Sequence, residues 1–132
     1  MEAIDSGRDT IEIWGDGSQT RSFMYFEDCV KGIDMIMHCN DLVATPINLG
    51  SIELVSINEL VSNVERIAGI RLVRQYDLTA PRGVGGRNSD NTFIKQVLSW
   101  EPNTTLEVSL RHTFEWIKEQ YCARKQGKFV VA

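Results

Sequence analysis

The sequence predicts an α/β fold of about four helices with short strands, on three observations. The run Ile11-Glu12-Ile13-Trp14 alternates with a period of two, as a half-buried strand does. Residues Ser56–Glu59 form a capping box ahead of a segment with apolar residues at helical spacing. Glycine-containing loops separate these runs, so strands and helices alternate along the chain.

Taken in order, Met1–Ile4 reads as the last turn of a helix, stopped by Ser6-Gly7. The strand at Ile11–Trp14 ends in Gly15-Asp16-Gly17, where glycine supplies the positive φ of a tight turn and Asp bonds its own backbone. Polar Gln19-Thr20-Arg21 and the apolar run Phe23–Phe26 follow. Asp28–Cys39 is expected to be helical, with Val30, Ile33, Ile36 and Met37 inward. Thr45–Gly50 reads as a short strand that leaves a proline and ends in glycine.

The helix after Ser56 carries Ile57, Leu60, Val61, Val64, Ile67 and Ala68 on one face and stops at Gly69. Arg71–Tyr76 alternates as a strand with Leu72 inward, and Asp77–Arg87 is a loop. Asn88-Ser89-Asp90 caps a helix reaching about Leu98. Thr104–Glu107 repeats the capping-box pattern before a last helix to about Lys125, striped by Leu106, Leu110, Phe114, Ile117 and Tyr121. The tail Gly127–Ala132 has no assignment.

The 132 residues are enough for one domain with a core that needs neither disulfide nor metal. A net charge of −4 argues against nucleic-acid binding, which goes with a basic excess. No apolar run approaches the ~20 residues of a membrane span. Cys29, Cys39 and Cys122 are odd in number and widely spaced, as in reduced cytoplasmic proteins, and their helical positions make them packing thiols.

Two segments carry the candidate chemistry. Arg21 follows a rigid turn and precedes an aromatic run, so it is either a fixed cation suited to phosphate or a solvated surface residue. Arg87 ends the glycine-rich stretch Gly83–Arg87 just before a helix start, where unpaired N–H groups favour an anion; the alternative is a flexible capped loop. Asp34 and His38, spaced i, i+4, are a surface pair, short of the three or four ligands a metal needs. No glycine fingerprint follows a strand, and no Tyr precedes a Lys by four residues. No residue is assigned a catalytic or metal-binding role.

The ordered series GDGSQTRSF, FEDCVKG, INLGS, GRNSDN and LSWEPNTTLEVSL is similar to the C-terminal part of extended short-chain dehydrogenase/reductases acting on nucleotide sugars. Within that NAD-dependent epimerase/dehydratase family it resembles the epimerases of GDP-mannose-like sugars, over roughly residues 7–120. The resemblance implies a single C-terminal substrate-binding lobe, residues 1–132, whose Rossmann domain is absent. It implies an isomerase parent, an NAD-dependent epimerase working by transient oxidation at C4 of the sugar and built as a homodimer. In that family the matching arginines, here Arg21 and Arg87, contact the substrate diphosphate.

The family's loop reads PEGVRGR where this chain has PRGVGGR, so Gly85 replaces an arginine and Arg82 brings one earlier. The lobe by itself is expected to bind no NAD and to be inactive. The alternatives are a lobe of a 4-epimerase or 4,6-dehydratase, or a non-catalytic binding module.

Overall fold

The computed structural model describes Met1, residues 5–81 and residues 83–128, and among the described residues it holds four α-helices of seven or more residues, a short 3-10 helix at Asn40–Leu42 and four short strands. Strand β1 (Thr10–Trp14) pairs in parallel with β4 (Val73–Asp77), from Thr10 opposite Val73 to Trp14 opposite Asp77. Strand β2 (Thr20–Ser22) pairs antiparallel with β3 (Leu54–Ser56), placing Arg21 opposite Val55. The helices are α1 (Phe26–Met37), α2 (Ile57–Ala68), α3 (Thr92–Leu98) and α4 (Leu106–Lys125). Ile13, Leu42, Val55, Ile94 and Leu106 form the buried apolar core.

The two sheets meet at the start of α2. Gly15 and Gly17 take positive φ angles of 77° and 71°, which turn the chain from β1 into β2. The carbonyls of Gly17 and Gln19 accept from Asn58 N at 3.0 Å and Ile57 N at 3.1 Å. They thereby satisfy N–H groups that a helix start leaves without an internal partner. The expected capping box is complete: Ser56 Oγ accepts from Glu59 N at 3.1 Å, and Glu59 Oε2 accepts from Ser56 N at 2.9 Å. Gly69 ends α2 in the left-handed conformation, and α4 runs to Lys125 as expected.

Four expectations are corrected. The packed side of α1 is not the apolar one: Val30, Ile33 and Met37 are 62%, 47% and 77% exposed. Buried instead are Asp28 and Gly32, with Ile36 half-buried beside them. A Cβ on Gly32 would lie 2.6 Å from Leu49 Cδ1 and 2.9 Å from Trp100 Cζ3, so the missing side chain is what lets α1 dock there.

Thr45–Gly50 joins no ladder among the described residues. Pro46 removes one donor, and the end of the segment is held by side chains, with Asn91 Nδ2 donating to the Gly50 carbonyl at 2.8 Å.

Helix α3 begins at Thr92, later than expected, because Asp90 Oδ1 takes the Thr92 N–H at 3.0 Å. Finally, Thr105 rather than Thr104 caps α4. Thr104 N is drawn instead to Asp28 Oδ2 at 3.0 Å, and Glu107 pairs with Arg66 at 2.9 Å.

The helical turn expected at Met1–Ile4 falls mostly outside the described residues, as do Arg82 and the tail beyond Lys128. Asp5 and Ser6 are helical, and Gly7 follows with φ 64°. No helix among the described residues is long and apolar enough to cross a membrane.

Candidate functional site

Arg21 sits in the middle of β2 because the Gly15–Gly17 turn folds that strand back onto β3. Its other flank is lined by the loop of residues 83–86. Thr20 N donates to the Gly85 carbonyl at 2.9 Å, and Arg21 Nη1 donates to the Val84 carbonyl at 2.8 Å and the Thr20 carbonyl at 2.6 Å. Both Nη1 hydrogens are thus committed to carbonyls, which fixes the plane of the guanidinium. The half-buried Arg21 is a placed cation rather than a freely solvated one.

Arg87 is exposed and follows two residues after Gly85, whose carbonyl accepts from Thr20 N. The residues after it are stitched to the segment 48–52. Asn88 Nδ2 donates to the Ile52 carbonyl at 3.3 Å, Asn48 Nδ2 to the Asp90 carbonyl at 3.4 Å, and Ser89 Oγ to Asn91 Oδ1 at 2.7 Å. Asn91, 4% exposed, completes the stitching through Gly50. A Cβ on Gly50 would stand 2.9 Å from Ser89 Cβ, so this contact also requires glycine. The side chains of GRNSDN beyond its arginine therefore serve as a mount, leaving exposed Arg87 at the loop's end.

The anion-attracting helix start expected next to Arg87 is absent there. Helix α3 starts five residues later, and the Asp90 carboxylate already occupies its first N–H. Bonds from the Thr92 hydroxyl and N–H hold the Asp90 carboxyl below its ordinary range.

At Gly85, the position of the expected departure, a Cβ would meet nothing within 4 Å. At Gly86 it would stand 2.3 Å from Thr20 Oγ1. The contact the loop makes at residue 85 is its carbonyl, and a side chain there enters open space. The residues missed by the sequence reading are Thr20, Val84 and Gly86. Nothing in their spacing points to one another, since the contacts span more than sixty positions.

The remaining candidates separate cleanly. His38 Nδ1 lies 3.3 Å from Asp34 Oδ1 as an exposed i, i+4 pair, and no group of three metal-binding side chains occurs among the described residues. Cys29 and Cys39 are half-buried, but Cys122 is exposed on α4 and so is not a packing thiol. His112 stacks edge-on to Tyr25 with ring centroids 5.8 Å apart.

A concavity of about 650 Å³, lined by Ser62, Glu65, Ile70, Arg71, Leu72 and Arg74, shares no residue with the Arg21 flank. There Arg74 is bonded to Ser62, Asn58 and Glu65, so its charge is answered from within.

The strand-to-glycine turn at Gly15–Gly17 leads into another strand, so it offers no helix N-terminus to a pyrophosphate.

Comparison with known proteins identifies relatives. Residues 1–50 match the NAD dependent epimerase/dehydratase family. The chain is 44% identical over 112 residues to GDP-mannose 3,5-epimerase of Arabidopsis thaliana, covering 85% of this chain and 29% of that one. It is 34% identical over 110 residues to UDP-glucuronate 4-epimerase of Thermodesulfobacterium geofontis, covering 83% and 33%. Among solved structures it is similar to UDP-glucuronic acid 4-epimerase from Bacillus cereus in complex with UDP-glucuronic acid and NAD. That match has a TM-score of 0.81 at 26% identity, over 91% of this chain and 38% of the other. The chain thus spans about a third of the length of the relatives it matches.

Proposed function

We propose that this chain, which belongs to the NAD dependent epimerase/dehydratase family, is the substrate-binding lobe of a nucleotide-sugar epimerase and holds the substrate diphosphate through Arg21 and Arg87. The observation that supports the reading is the Thr20–Gly85 bond, which ties the loop leading to Arg87 to the strand that carries Arg21. A diphosphate carries about two negative charges, and charge-assisted bonds to it are roughly twice as strong as neutral ones. Two planar guanidinium forks suit it better than two ammonium groups would.

The 44% identity to a GDP-mannose 3,5-epimerase favours a GDP-mannose-like sugar. The likeness to UDP-glucuronic acid 4-epimerase favours, as the second reading, a lobe of a UDP-sugar 4-epimerase. In either reading NAD is held by the rest of the parent enzyme, and this lobe alone binds none and is inactive. The parent is a homodimer of two-domain subunits in the cytoplasm, where three unpaired cysteines remain reduced.

Titration with GDP, GDP-mannose and UDP-glucuronic acid, followed by amide chemical shifts, tests the assignment. Shifts centred on residues 20–22 and 83–88 are expected, stronger for the guanosine compounds. Equal loss of these shifts in Arg21→Ala and Arg87→Ala supports the shared site. Shifts that survive both substitutions overturn it.

A further inference from the structure

At Gly86 the loop passes close against β2. The Gly86 Cα faces Thr20 so closely that a methyl group there would stand 2.3 Å from Thr20 Oγ1, inside any allowed contact. Immediately before it, the Gly85 carbonyl accepts from Thr20 N, and the Val84 carbonyl accepts from Arg21 Nη1. Gly83 adopts φ 67°, which bends the loop so that its backbone passes beside Arg21 Nη2. Three consecutive residues therefore act together: one glycine permits the approach, and the two carbonyls it carries forward seize the strand and the guanidinium.

We infer that Gly86 is a positioning residue for Arg21: its missing side chain lets the loop close on β2, so that the carbonyl of Val84 sets the plane of the guanidinium that meets the diphosphate. The inference rests on the diphosphate reading for its purpose, but the positioning itself is measurable without ligand. The guanidinium needs this help because an arginine side chain has many rotamers, and ordering one on binding costs affinity. With Nη1 already bonded to two carbonyls, that ordering is complete before a ligand arrives.

The test uses the whole chain labelled with nitrogen-15, with the Arg21 Nε–H signal assigned by its disappearance in Arg21→Lys. Gly86→Ala is expected to move that signal and to weaken GDP binding about tenfold, equivalent to about 1.4 kcal/mol. The double substitution Gly86→Ala with Thr20→Ala removes the hydroxyl that the new methyl meets, and should return both signal and affinity towards the starting values. Gly85→Ala, whose added carbon meets nothing within 4 Å, should move the signal less than Gly86→Ala.

Trimming Thr20 also repairs any stability lost to the same clash, so each variant is read well below its own melting midpoint, where a shifted Arg21 signal reports positioning and not unfolding. If Gly86→Ala does not fold, Thr20→Leu crowds the same contact from the strand side and is read by the same signal. An Arg21 signal unmoved by Gly86→Ala, or moved but not returned by the double substitution, overturns the inference. If the signal moves and returns while the unsubstituted chain shows no response to GDP, the positioning by Gly86 stands and the diphosphate reading falls.

Discussion

Asp28 and Thr104, 76 positions apart, are joined by a hydrogen bond of 3.0 Å from the Thr104 amide to Asp28 Oδ2. Asp28 is 9% exposed, so its carboxylate anchors the first turn of α1 to the loop leading into α4. Asp28→Ala strands that amide and is expected to cost about 1–3 kcal/mol of stability. Asp28→Asn keeps an acceptor oxygen and should recover much of the loss. Urea denaturation followed by circular dichroism measures both.

Gly32 sets two effects against each other. Alanine there gains up to about 1 kcal/mol in helix propensity. Its methyl would stand 2.6 Å from Leu49 Cδ1 and 2.9 Å from Trp100 Cζ3, and overpacking of that kind costs about 1–3 kcal/mol. The net effect expected for Gly32→Ala is destabilisation, seen as a lower melting temperature. Combining it with Leu49→Ala relieves part of the clash, so the two changes should be non-additive.

Asn91 is buried and bonded to both Gly50 and Ser89. Asn91→Ala leaves the Gly50 carbonyl without its partner, an expected loss of about 1–3 kcal/mol. Because the same side chain mounts the segment behind Arg87, nucleotide binding should weaken at temperatures where the protein is still folded. Calorimetric titration well below the melting midpoint reads this directly.

Acid should weaken the fold through named carboxylates. The Ser56 N–H and hydroxyl hold the Glu59 carboxyl below its ordinary value, and the Thr79 hydroxyl and N–H do the same for Asp77. For a group depressed in the folded state, the stabilisation is complete above the unfolded value, 4.5 for Glu59 and 3.8 for Asp77. It is lost as the pH falls through the lower folded value. The urea midpoint should therefore be flat near neutrality and drop below about pH 4.5, and Glu59→Gln should make the drop shallower.

Phe26, Val30, Ile33 and Met37 recur along α1 at spacings of four, three and four, and all four are exposed. Contiguous apolar surface of this kind promotes association. Sedimentation velocity at rising concentration should show self-association, removed by Val30→Glu with Met37→Glu. The same sedimentation coefficient at every concentration would mean the stripe does not self-associate.

What the sequence determined alone is what depends on neighbours along the chain. The Ser56–Glu59 box, the stop at Gly69 and the run of α4 to Lys125 all follow from groups within a few residues, and each stands where it was expected. The likeness carried by GDGSQTRSF and GRNSDN puts forward Arg21 and Arg87 as candidates, because a motif is read without knowing what lies opposite. Tertiary structure decided whatever depends on a distant partner. Helical spacing marks α1 as amphipathic, but only Leu49 and Trp100 determine that it packs on Gly32 and leaves Val30 and Ile33 outside. The cap of α4 moved from Thr104 to Thr105 because Asp28 claimed an amide 76 positions away. Arg21 acquired its fixed plane from a carbonyl 63 positions further on. Such contacts follow from chain closure, in which hydrogen-bond donors and acceptors are matched by proximity in space, and spacing along the sequence holds no record of it.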